Sequence, residues 1–188
     1  MTNPATRSPD PTTAAMPNRD DTPHRGETRF DAASFPVVAK GHKFEDFNVG
    51  RVFVHHWGRT ITAGDNAIFS TTMCNWNPMH LNVEFARAHG HPDVVVNPML
   101  VLCTVVGMSV EDLSEAGGPF LGVEDCTFHR PVHPGDTLAA RSTVEAARPS
   151  GSRPDVGIVT WHTEAHNQRG ELVVDYRRTN LVAKRERS

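Results

Sequence analysis

The sequence predicts an α+β domain in which a long antiparallel sheet wraps around one buried helix. Three observations carry that expectation. The segment "VVVNPMLVLCTVVGMSVEDL" is apolar enough to be a central helix, four segments of the C-terminal half have strand composition, and tight-turn signals separate those four. With 188 residues the chain is long enough to bury one core of this kind.

Residues 1–40 stand apart from the rest. "MTNPATRSPDPTTAAMPNRDDTPHRGETRF" is rich in Pro, Thr, Asp and Arg and has neither a helical nor a strand period. Such a segment cannot bury enough apolar surface to offset its ordering entropy, so a disordered tail is expected, at most a docking arm. The domain is expected over 41–188. It opens at "FEDFNVGRVF", and "RVFVHHWGRTIT" alternates as a strand does. Thr62 with Asp65 has the form of a capping pair that opens a helix through "DNAIFSTTM". Asn82 can cap a second helix, "VEFARAHG", with Gly90 as its stop.

The central helix starts at Asn97 as N-cap and Pro98 at the first helical position, where a missing N–H costs nothing. It is expected to run to about Leu113 and, being apolar on nearly every face, to be buried all round. The strands follow as "FLGVEDCTFHRPV", "DTLAARSTVEAARP", "DVGIVTWHTEAHN" and "ELVVDYRRTNLVAK", separated by "HPGD", "PSGSRPD" and "NQRG".

Composition removes several function classes. A net charge of -3 with no stripe of Lys or Arg argues against a nucleic-acid partner. No apolar run is long enough to span a bilayer, and the N-terminus lacks a secretory pattern. Cys74, Cys103 and Cys126 form no CxxC pair, so a reduced cytoplasmic setting and buried thiols are expected. His55, His56, His89 and His91 follow no ligand spacing and are read as surface or turn histidines, with no metal and no cofactor.

The stretch "CNWNPMHLN", Cys74 to Asn82, holds one histidine able to move a proton, His80, among three asparagines that cannot. From the residues alone it reads either as a catalytic loop or as a polar turn around an interior histidine.

The order of elements resembles a hot-dog fold, and three motifs narrow the resemblance to the MaoC-like enoyl-CoA hydratases. "FEDFNVG" is similar to the family's opening motif. "NWNPMHLN" is similar to its catalytic Asp-x-Asn-Pro-x-His motif, with Asn75 in the first position, and "FHRPVHPGD" to its Phe-x-x-Pro-Val-x-x-Gly-Asp turn. The likeness covers residues 41 to about 185. Within the family, "SRPDVGIVTWHTEAHNQRGELVV" and "VNP-ML" followed by "VVGMSV" most resemble the mesaconyl-CoA and itaconyl-CoA hydratases.

That resemblance implies reversible hydration of an acyl-CoA thioester in a homodimer or higher homo-oligomer. His80 would act as acid and base, and Asn75 would hold the water without taking its proton. Asn77 and Pro78 would shape the loop. Oxyanion donors are implied at the start of the central helix; Pro98 has no N–H, which leaves the N–H of Met99 or the side-chain amide of Asn97. Two other readings stay open: an acyl-thioester-binding protein that has lost catalysis, and a dehydratase or thioesterase acting on a carrier-bound chain. Arg59, Arg87, Arg130, Arg153, Arg177 and Arg178 are candidates for coenzyme A phosphates or a second substrate carboxylate, though each by itself reads as a solvated strand edge. Glu84 and Asp93 are expected only to cap or solvate their helix and loop.

Overall fold

The computed structural model describes residues 40–186. The expected tail over residues 1–40 therefore lies, Lys40 apart, outside the described residues. The four C-terminal segments form β3 (Phe120–Phe128), β4 (Thr137–Pro149), β5 (Val156–His166) and β6 (Leu172–Ala183). Together with β1 (Val52–Val54) they pair antiparallel in the order β1-β4-β5-β6-β3. The last three strands in sequence are a meander, whereas β3 crosses to the far side of β6 and becomes an edge.

Residues alternate across β4, β5 and β6. Leu138, Ala140 and Val144, then Val159, Trp161 and Ala165, then Val174, Tyr176 and Val182 are buried on one face. Covering that face are α4 (Pro98–Met108) and α5 (Val110–Leu113). Val101, Val105 and Met108 form the inward stripe of α4 and pack with Leu138, Ala140, Ala165, Val174 and Tyr176. A second apolar cluster gathers Phe47, Phe53, Leu113 and Trp161. Burial of each such side chain stabilises the fold by about 1.5–3 kcal/mol.

Several expectations are corrected. "RVFVHHWGRTIT" is not one strand: β1 and β2 (Arg59–Thr60) pair separately with β4, at Val52↔Thr143 and Arg59↔Leu138. Between them His55 is buried, with Nδ1 2.6 Å from Asp112 Oδ2 and Nε2 2.8 Å from Ser142 Oγ, so it is neither a surface nor a turn histidine. The central helix does not run unbroken to Leu113. Ser109 interrupts it, its hydroxyl donating back to the carbonyl of Val106 at 2.7 Å.

Nor is α4 buried all round within one chain, because Met99, Cys103 and Gly107 are exposed along one flank. All three cysteines are free and exposed rather than buried. Arg178, expected at a solvated edge, is 2% exposed. Its guanidinium donates to Asn180 Oδ1, Ser109 Oγ and Ser114 Oγ at 2.8–2.9 Å, with no carboxylate among these partners. Burial pulls it below the usual arginine value. Ser109 caps the C-terminus of α4, so this cation sits where the helix dipole is negative.

Candidate active site

Helix α1 (Ala63–Thr72) begins with the expected capping box. Thr62 Oγ1 accepts from Asp65 N–H at 3.1 Å, and Asp65 Oδ2 accepts from Thr62 N–H at 2.9 Å. That backbone N–H is the main reason the Asp65 carboxyl lies below its ordinary value. The helix ends in a Schellman arrangement. Cys74 takes a left-handed conformation with φ 53, its N–H donating to Thr71 O, while Asn75 N–H reaches back to Ser70 O at 2.8 Å. Glycine is usual at such a position, and a Cβ there carries a local strain of about 1–2 kcal/mol. The motif fixes where Asn75 leaves the helix.

The next residues repeat one device twice. Asn77 precedes α2 (Pro78–Leu81), with Pro78 at the first position and Met79 N–H donating to Asn77 Oδ1 at 3.0 Å. Asn97 precedes α4, with Pro98 first and Met99 N–H donating to Asn97 Oδ1 at 3.0 Å. Asn82 caps α3 (Val83–Ala88) through Phe85 N–H. Asp93 accepts from Val94 N–H and Glu84 pairs with Arg87, so both stay local.

The first turn delivers His80 to the interior, where it is 7% exposed. Its Nδ1 lies 2.8 Å from the carbonyl oxygen of Val95. A carbonyl only accepts, so Nδ1 carries the proton and Nε2 keeps its lone pair. Nε2 has no hydrogen-bond partner among the described residues. Asn75 spends Oδ1 on Asn77 N–H at 3.3 Å, which leaves its amide –NH2 to donate elsewhere. The two side chains therefore offer opposite halves of a hydrogen-bonding pair, a donor and an acceptor.

Two residues that the sequence reading passed over join the turns. Asn66 on α1, 1% exposed, donates from Nδ2 to the His80 carbonyl at 2.9 Å and accepts Asn97 N–H on Oδ1 at 2.8 Å. Ser70, one turn later, accepts from Asn97 Nδ2 at 3.3 Å. Two polar residues four apart on one face of a short helix were the available signal. Val95 N–H donates to Met79 O and Val96 N–H to Val132 O, which ties the segment before α4 to α2 and to the turn after β3.

The same geometry gives the expected oxyanion donors partners of their own. Met99 N–H is held by the Asn97 cap, and the Asn97 amide is turned to Ser70. Leu100 N–H already donates to Asn97 O at 2.9 Å. Neither Asn97 nor Met99 thus presents an uncommitted backbone donor. Beside this segment an apolar cleft of about 180 Å³ opens between α4 and the end of β3, with Val95, Val96, Phe128, His129, Arg130 and Val132 in its wall.

The model of the family "Mesaconyl-CoA hydratase" matches residues 27–188. The chain belongs to the mesaconyl-CoA hydratase family. A mesaconyl-CoA hydratase from Haloarcula marismortui is 42% identical over 148 residues, 78% of this chain and 41% of the relative. A putative MaoC-domain dehydratase from Chloroflexus aurantiacus superposes with TM-score 0.74 at 31% identity, over 81% of this chain and 43% of the other. A Mycobacterium tuberculosis protein described as a double hot-dog fold gives TM-score 0.71 at 24% identity, over 81% and 47%, and supports the fold alone. The fold is the expected hot-dog. This member spans about two fifths of the length of its curated mesaconyl-CoA hydratase relatives. Among the described residues no helix is long and apolar enough to cross a membrane.

Proposed function

We propose that the chain catalyses reversible hydration of an enoyl-CoA, a short branched dicarboxylic acyl-CoA of the mesaconyl or itaconyl type. The observation that carries this is His80, held by Val95 with Nε2 free of any hydrogen-bond partner among the described residues, in the same loop as Asn75, whose amide –NH2 is left to donate. A water accepting from the Asn75 amide and donating to His80 Nε2 satisfies both. His80 takes a proton as the water oxygen bonds to the β-carbon and the electron pair moves to the thioester oxygen. The imidazolium then returns that proton to the α-carbon, and the hydroxyacyl thioester leaves. One residue serves as base and then acid, because Asn75 has no proton to take or give at neutral pH. The scheme calls on no cofactor and no metal.

A homodimer is part of the proposal. The open flank of α4 borders a groove of about 620 Å³ with Trp57, Phe69, Leu100 and Cys103 in its wall, and edge strand β3 leaves Phe120, Leu121 and Phe128 exposed. Surfaces of that kind favour burial against a second copy. The unpaired thiols suit the cytoplasm.

The test is hydration of mesaconyl-, itaconyl- and crotonyl-CoA by the wild type and by His80→Ala. Loss of a general acid/base lowers kcat about 10²–10⁴-fold, and a variant that keeps full activity ends the hydratase reading. A second reading, thioester binding without turnover, is favoured by Asn75 together with the occupied donors at the start of α4. Tight binding of all three thioesters with no product from wild type would select it.

A further inference from the structure

The sequence offered six arginines for a phosphate or a second carboxylate, and the structure separates them. Arg59, Arg87, Arg153 and Arg177 each hold a carboxylate oxygen at 3.2 Å or closer. Arg178 is buried on hydroxyls and an amide. Arg130 alone has neither arrangement. Its one ion pair is loose, Nη1 to Glu171 Oε1 at 3.6 Å and beyond a hydrogen bond, while Asn167 Nδ2 and Arg169 Nε take the other oxygen, Oε2, at 2.7 and 2.9 Å. The Arg130 side chain is 57% exposed, so it is free to turn to a ligand.

Its place matters as much as its freedom. Arg130 lies in the wall of the cleft beside α4, which it shares with Val95, Val96, Val101, Phe128 and Val132. Val95 is the residue whose carbonyl fixes the His80 imidazole. The cleft's other polar side chain, His129, is committed, with Nε2 2.6 Å from Asp175 Oδ1. An apolar wall with one loosely paired guanidinium, which makes no hydrogen bond among the described residues, suits a short hydrocarbon chain that ends in a carboxylate, since the planar fork of arginine matches a carboxylate with two parallel hydrogen bonds. At about 180 Å³ the cleft is too small for a nucleotide, which places the acyl end rather than the coenzyme phosphates there.

We propose that Arg130 recognises the free carboxylate of a branched dicarboxylic acyl group bound in this cleft, and so sets the preference for dicarboxylic over simple enoyl thioesters. This rests on the hydratase reading above and adds to it the residue that selects the substrate. Mutating a cation that faces a carboxylate removes a charge-assisted interaction, and a site built around such a contact discriminates strongly against substrates that lack it.

The experiment measures kcat/KM for mesaconyl-CoA and crotonyl-CoA with wild type, Arg130→Met and Arg130→Lys. The expected result is a fall in the mesaconyl-to-crotonyl ratio of about 10- to 100-fold in Arg130→Met, with Arg130→Lys in between. A ratio within twofold of wild type overturns the proposal, including the case where both substrates weaken together and the arginine serves coenzyme A or the fold instead. Wild type that hydrates neither thioester removes the hydratase reading and this inference with it. Active wild type with an unmoved ratio removes this inference alone.

Discussion

Asn77-Pro78-Met79 and Asn97-Pro98-Met99 have the same sequence and nearly the same backbone. The asparagines have φ -59 and ψ 120 in one and φ -54 and ψ 123 in the other, and each accepts the methionine N–H at 3.0 Å. Their fates differ. Asn77 is exposed and starts a four-residue helix that carries His80 inward. Asn97 is buried, starts the eleven-residue helix α4, and has its backbone N–H on Asn66 and its amide on Ser70. Three residues suffice to make the turn. What the turn is for depends on what lies against it.

That contrast can be tested through stability and activity. Asn66 bonds to both turns, so Asn66→Ala leaves the His80 carbonyl and the Asn97 N–H short of a partner in the interior. A loss of about 3 kcal/mol is expected in urea unfolding, with kcat falling as His80 loses its support. Asn97→Ala removes a cap and a buried amide together and should cost about 2 kcal/mol. Asn77→Ala removes only an exposed cap, about 0.5–1 kcal/mol, and the two costs coming out equal would mean that burial adds nothing to the second turn. Smallest and opposite in sign is Cys74→Gly. With φ 53 relieved of its Cβ, the unfolding free energy should rise by about 0.5–1 kcal/mol, seen as a higher urea midpoint at an unchanged slope.

Much of the fold could be read from residue order. The capping box at Thr62 and Asp65, the helix start at Asn97-Pro98 and the strand composition of the four C-terminal segments are local patterns, carried by local hydrogen bonding or by residue type. The break at Ser109 was not legible, because the hydroxyl that donates to Val106 O also accepts from Arg178, which lies far along the chain on β6. Burial of Arg178 itself was hidden for the same reason. Its charge signals solvent, and only the hydroxyls gathered by β6, α4 and α5 allow it inside.

At the site, the sequence by itself determined that His80 is the one histidine in its loop and can carry a proton, and that Asn75 cannot take one, since both follow from side-chain chemistry. Only the tertiary structure decided which imidazole nitrogen faces the Val95 carbonyl, that the Asn97 N–H and amide go to Asn66 and Ser70, and that Arg130, unlike its five rivals, makes no hydrogen bond among the described residues. Those outcomes rest on partners distant in the chain: Val95 for His80, and Asn66 and Ser70 for Asn97. Hydrogen bonds between residues 15 to 31 positions apart exist only once the core has brought their elements together, so no window of sequence contains them.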